Sequence, residues 1–253
     1  MKKIFSTAIT AIVLLFGISD TAKAIDLDSL QLRARAGYSI GGTAPLPLPS
    51  SIRSIDSYSL TPSFMVGFDA MLPIHEKWGV SVGLHFENKG MNGDVTTKGY
   101  HMELIKGGTA IEGLFTGHVC QKATQWMLTL PVQATLQLGR KVTLRGGPYF
   151  SLLLSKDFSG IASDGYLRQG SPTGPKVLIG SKEGEWATYD FDNEMRNFQF
   201  GLGVGADWQL GKRLGVSADL NWGLTGVFPG DFKAVEQTLY PIYFTVGAFY
   251  RFK

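Results

Sequence analysis

From about residue 30 onward, apolar side chains recur at every second position over runs of about ten to fourteen residues. Period 2 is the side-chain period of a β-strand, whose successive residues face opposite sides. Eight such runs are present. The first, Leu30–Gly41, carries Leu32, Ala34, Ala36, Tyr38 and Ile40 on one face, and the second, Pro62–Leu72, carries Phe64, Val66, Phe68, Ala70 and Leu72. The third is Trp78–Asn88, the fourth Gln125–Leu138 and the fifth Val142–Ser155. The sixth is Asn197–Leu210, with Phe198, Phe200, Leu202, Val204, Ala206, Trp208 and Leu210 aligned. The seventh is Leu214–Thr225 and the last runs from Tyr240 to Lys253.

The opposite face of the same runs is small and polar. It holds Arg33, Arg35, Gly37 and Ser39, then Asp69, then Ser81, Gly83, His85 and Glu87. It continues with Thr129, Gln133, Thr135, Arg145, Gln199, Asp207, Ser217, Asp219 and Arg251. Charge is nearly absent from the apolar face in all eight runs. An arginine or lysine on a lipid-facing strand costs about 2–4 kcal/mol at mid-bilayer, so the asymmetry reads as a lipid face. A sheet in lipid has no water to satisfy an open edge and must close. The connections alternate between tight turns (Pro73–Lys77, Gly139–Lys141, Gly211–Arg213) and long stretches at 42–61, 89–124, 156–196 and 226–239.

The expected fold is therefore all-β: a closed, eight-stranded, antiparallel up-and-down transmembrane β-barrel with short periplasmic turns and long extracellular loops. Aromatic residues on the lipid face then fall into two belts. Trp78, Trp208 and Phe252 lie at periplasmic ends, and Tyr38, Trp126, Trp222 and Tyr240 at outer ends. Inside, Arg33, Arg35, Arg145 and Arg251 have Asp69, Glu87, Asp207 and Asp219 as candidate partners, which predicts a plugged core. Pro131 and Pro148 each remove a ladder donor, so a bulge or local break is expected there. Parts of the long connections, Thr96–Ile105 and Glu185–Phe191, have some β character and could extend strands beyond the membrane.

Lys2 and Lys3 precede an apolar run over about Ala8–Ile18, and Ala22-Lys23-Ala24 follows with small residues flanking the lysine. This reads as a cleaved signal peptide over 1–24, leaving a barrel domain at 25–253. The whole chain carries a net +3, of which the signal contributes two charges, so the mature chain is close to neutral. There is no basic excess to suggest nucleic acid as a partner. The single cysteine, Cys120, excludes an internal disulfide.

Four motifs in order, Gly83-Leu-His-Phe-Glu-Asn-Lys-Gly90, Leu128-Thr-Leu-Pro-Val132, Gly146-Gly-Pro-Tyr-Phe150 and Phe198-Gln-Phe-Gly-Leu-Gly-Val-Gly-Ala206, resemble the PorT-type outer membrane protein β-barrel domain family. That family is often labelled porin family and is common in Bacteroidota. The chain departs from its pattern at Gln199 and Phe200, where an acidic residue commonly precedes the first glycine. The resemblance implies a Gram-negative outer membrane location and, for one branch, a link to secretion of adhesins and proteases.

Chemistry-bearing candidates are few. His101, His118 and Cys120, with Glu103 and Glu112 nearby, are the residues an envelope enzyme would use; a polar loop is the simpler reading. His118-x-Cys120 lacks further ligands for a metal site. His85 and Glu87 suggest an interior network, and Gly201-x-Gly203-x-Gly205 sits in a strand, which excludes a dinucleotide loop. Ala44–Pro49 reads as a stiff surface loop. No cofactor is expected. The expected function is that of a plugged, monomeric barrel acting through surface loops in adhesion, envelope structure or secretion. A narrow diffusion channel is the alternative, and an enzyme is a more remote one. The expected partners are outer-membrane lipid and lipopolysaccharide, the barrel assembly machinery during biogenesis, and an envelope or secretion-complex protein.

Overall fold

The computed structural model describes residues 29–45, 48–235 and 238–252. The expected signal segment, Lys253 and the centre of the proline-rich stretch lie outside the described residues. The strands are β1 (Gln31–Pro45), β2 (Ile52–Leu60), β3 (Ser63–Pro73), β4 (Trp78–Lys106), β5 (Thr109–Leu138) and β6 (Val142–Gln169). They continue with β7 (Lys176–Ile179), β8 (Ala187–Asp190), β9 (Phe198–Gln209), β10 (Leu214–Gly223) and β11 (Leu239–Arg251).

Eight of them close a ring. β1 pairs with β3, β3 with β4, β4 with β5, β5 with β6, β6 with β9, β9 with β10 and β10 with β11, all antiparallel. The last strand returns to the first, with Arg33 opposite Arg251, Ala36 opposite Ala248 and Ser39 opposite Thr245. The chain is thus an all-β, closed, eight-stranded antiparallel barrel, each wall strand beside its sequence neighbour. Facing follows the alternation: Leu32, Tyr38, Phe68, Leu84, Val204 and Val246 point outward, whereas Arg33, Arg35, Ser81, Gln133 and Asp207 are buried inside.

Two adjustments concern the outer half. The stretches 89–124 and 156–196, expected as loops, are largely strand. β4, β5 and β6 are 29, 30 and 28 residues long, where about 9–11 suffice to cross a bilayer. β4 and β5 form one continuous hairpin, closed by Gly107-Gly108 with φ of 58° and 80°. Two positive φ values are what a two-residue turn matched to strand twist requires, and glycine adopts them without strain. β2 continues the line of β3 along β4, with Ile52 opposite Thr97 and Leu60 opposite Met91.

Pro131 and Pro148 interrupt the β5–β6 ladder without slipping it. Pairing passes from Pro131–Tyr149 to Ala134–Gly146, three residues on each strand, so the expected disturbance is a local break and the register is kept. The slips lie farther out, at Gly99 in β4 and around Leu154 and Asp164 in β6. Each moves the inward-facing set by one position, from Thr97 to Tyr100 and from Leu153 to Phe158.

Above the ring the fold has a second interior. Met91, Met102, Leu104, Phe115, Val119, Ala123, Phe158, Ala162 and Leu167 form an apolar core with Tyr189, Phe191, Val227 and Phe228. β8 helps to enclose it, pairing with Ser159–Ala162 of β6 and, through Thr188, with Ile105 of β4. The 226–239 connection supplies Phe228 and Phe232, stacked at 4.4 Å, and Val235 bridges to Met102.

Candidate functional site

The barrel interior is built from inward positions of all eight wall strands. Asp207 of β9 lies at its centre, 2% exposed. Arg33 reaches it at 2.9 Å, Arg35 at 2.7 and 3.0 Å, and Arg145 at 3.0 Å. Arg35 also donates to Asp69. Arg145 donates to Asp219 at 2.6 Å and to Gln133 at 2.8 Å. His85 Nε2 lies 2.8 Å from Asp69. Three guanidinium groups thus meet three carboxylates, so the buried charge is balanced. The backbone makes room: a Cβ at Gly83 would run into the Asp69 carboxylate, and one at Gly205 into that of Asp219. Arg33 and Arg35 lie over the Phe249 ring at 5.0 and 5.5 Å, adding a cation–π contact.

Two expected pairings differ. Glu87 meets no arginine; its partner is Lys89, at 2.5 Å, with His85 Nδ1 3.8 Å away. Lys89 lies over the rings of Tyr243 and Tyr149 at 5.3 and 5.8 Å and forms a second polar layer beneath the apolar core. It falls just past Asn88, where the third run was expected to end, and continuing the alternation by one step would have found it. Arg251 stands apart from the cluster. Its guanidinium donates to the Lys212 carbonyl at 2.7 Å, at the turn-side rim. Arg251 and Arg33 also line a cavity of about 330 Å³ at the turn-side mouth, with Lys77, Arg140 and Asp207.

The belt residues all lie on the outer surface. Tyr38, Trp78, Trp208, Trp222 and Phe252 are exposed, and Trp126 and Tyr240 half-buried. Trp126 packs against Phe64 and Phe86, with centroids 5.5 and 5.3 Å apart. Tyr250 and Phe252 pair at 5.2 Å near the turn side.

On the extension the outward face is polar. Thr96, His118 and Asp56 meet across β4, β5 and β2, with His118 Nδ1 3.1 Å from Thr96 Oγ1 and 3.4 Å from Asp56. Cys120, two residues on, is held by Asp94, whose carboxylate accepts from the thiol. That bond, with partial burial, pushes the thiol up to about 11. A nucleophilic cysteine needs the opposite shift. His101 Nε2 lies 3.2 Å from Glu112. The sequence candidates for an active centre are therefore split between separate partners. Among the described residues no group of His, Cys, Asp and Glu could hold a metal ion.

A family model described as "Outer membrane protein beta-barrel domain" matches residues 20–229. No curated protein matches the chain. Similar solved structures include Ail, the attachment invasion locus protein of Yersinia pestis, in complex with the heparin analogue sucrose octasulfate (11% identity, 88% of this chain and 99% of that one, TM-score 0.41). They also include the outer membrane protein OprG of Pseudomonas aeruginosa (12%, 88% and 95%, TM-score 0.34) and Neisserial surface protein A (9%, 88% and 97%, TM-score 0.33). With the family model spanning most of its length, the chain belongs to the outer membrane protein β-barrel domain family, and its place is the outer membrane.

Proposed function

We propose that this protein is a non-conducting outer-membrane anchor that acts through its extracellular extension, docking a partner in adhesion, envelope structure or secretion. The observation that carries the reading is the contrast between a lumen occupied by interlocked charges and an outer region with its own apolar core. A barrel that only passed solutes would need neither. Buried ion pairs are weak contributors to stability against apolar packing, but they occupy the space through which a solute would move. The secretion role implied by the PorT resemblance is one form of this docking. Export by a signal peptide cleaved after Ala24, contact with lipopolysaccharide, insertion by the barrel assembly machinery and a monomeric state belong to the same proposal. Enzymatic chemistry is disfavoured by the raised Cys120 thiol and by the engagement of His118 with Thr96 and Asp56.

Planar-bilayer recording of the purified protein tests the anchor reading. A flat baseline is expected, and steady openings would favour the narrow-channel reading, for which the cavity at the turn-side mouth would be the vestibule. Cross-linking in intact cells from positions on β2 and on the β4–β5 hairpin should capture a discrete envelope protein. N-terminal sequencing of the outer-membrane form should begin at Ile25.

A further inference from the structure

The wall is not laddered all the way up. β1 pairs with β3 only as far as Ser39–Ser63, while β11 stays with β1 out to Pro45. β2 pairs with β4 and with no other strand among the described residues. Between residues 40–45 of β1 and the facing side of β2 there is therefore a lateral slot. It starts beside the belt residue Tyr38 and runs outward to where Ala44 faces Tyr240, alongside Met91–Thr97 of β4.

The slot leads into a cavity of about 350 Å³ that reaches the apolar core. Met91, Val95, Tyr100, Val119 and Phe158 form its depth. Ile55 and Tyr58 share the face of their β4 partners Val95 and Gly93 and, with Leu48, line the cavity mouth, where all three are exposed. The outward residues around it, Ser54, Asp56 and Ser59 of β2 and Asn92, Asp94, Thr96 and Lys98 of β4, are polar. Among the described residues no Asp, Glu, Lys, Arg or His lines the cavity. One polar atom in its lining lacks a partner, since Gln121 Nε2 is buried and makes no hydrogen bond. A buried donor of this kind costs stability until an acceptor meets it.

We infer that this cavity takes a single-chain, uncharged amphiphile, with its hydrocarbon chain against the apolar wall and an oxygen acceptor on Gln121. Size sets the chain length. A methylene occupies about as much space as a water molecule, about 30 Å³, so the cavity holds on the order of ten chain carbons. Charge sets the head: a carboxylate would be buried here without a cation, which is costly. A peptide strand is a poorer occupant. The slot-side groups of β1 are already engaged, with Thr43 N–H donating to Met91 Sδ at 3.0 Å and Tyr58 Oη donating to the Gly41 carbonyl. β2 is itself irregular, its register slipping twice.

The test uses the full-length barrel in phosphatidylcholine vesicles and a diazirine analogue of 1-decanol, with mass-spectrometric mapping of the adducts. Adducts are expected at Met91, Tyr100 and Phe158, competed by 1-decanol and about tenfold less well by decanoate. Gln121→Leu should abolish the preference for 1-decanol over decane. Val95→Trp, which fills the cavity, should remove the adducts while the heat-modifiable gel shift shows an intact barrel. If that variant does not assemble, competition in the unaltered chain decides. Adducts confined to lipid-facing residues such as Leu152 and Val204 would overturn the proposal. So would equal competition by decane, preference for decanoate, capture of a diacyl lipid probe in place of the alcohol, or a peptide co-purifying on β2.

Discussion

The two halves of β4, β5 and β6 obey opposite rules. Below the outer belt their inward residues are polar (Ser81, His85, Gln133, Arg145) and their outward ones apolar (Val80, Leu84, Leu130, Leu144). Above it the inward residues are Met91, Phe115, Val119 and Phe158, and the outward ones Asp94, Thr96, His118 and Lys122. The strands run on; what changes is the solvent. In lipid, apolar side chains lose nothing by facing out, and only the interior can hold charge. In water the same sheet gains by burying its apolar face. The position where polarity inverts therefore marks the bilayer surface, near Asn88, Trp126 and Ser155.

The largest expected effect belongs to the lower half. Asp207→Asn leaves three guanidinium groups facing each other without their shared carboxylate, as happens when one partner of a buried pair is removed. A loss of about 3–5 kcal/mol is expected, read as a lowered urea midpoint for loss of the heat-modifiable band. Next is Val204→Arg, which sets a charge on the lipid face of β9 at a cost of about 2–4 kcal/mol. Ser217→Arg, pointing inward opposite Asp207, should be milder. Equal gel shifts for the two arginine variants would reverse the facing assigned to these strands.

Leu104→Ala in the upper core should cost about 2 kcal/mol or more, but confined to the extension. Protease sensitivity should rise within β4–β8 while the ring keeps its gel shift; unfolding of both halves together would show that they are one cooperative unit. The smallest effect is Asp94→Asn. It should scarcely alter stability, yet it replaces the carboxylate that raises the Cys120 thiol with a neutral amide, a weaker acceptor. At pH 8 the native thiol, poised near 11, is almost all protonated. The variant should react with a membrane-impermeant iodoacetamide about tenfold faster or more, since the thiolate is the reactive form. An unchanged rate would remove Asp94 from the account.

This inversion also explains what the sequence shows and what it hides. Within the membrane the alternation is read directly, and Arg33, Asp69, Asp207 and their partners fall on one face with no structural knowledge. Past Asn88 the alternation persists, but its polarity is reversed, so a rule that seeks apolar residues on the lipid face stops there. Lys89 sits at that boundary. Slips at Gly99 and near Leu154 and Asp164 then change which parity points inward, which breaks any fixed alternation across them. The slot beside β1 was not legible at all, because it depends on which strand β2 chooses as partner. Arg251 stands apart from the cluster for a plainer reason. Its parity is inward, but its height puts it at the rim.

Nitroxide scanning of β5 tests the central claim most directly. In a Cys120→Ser background, labels on even positions from Glu112 to Leu138 all point outward, and collision with oxygen or with a water-soluble nickel chelate reports which solvent they meet. Nickel access is expected from Glu112 to Thr124 and oxygen preference from Leu128 to Leu136, with the crossover at Trp126. Oxygen preference at His118 and Lys122, or nickel access at Leu130 and Ala134, would contradict the inversion.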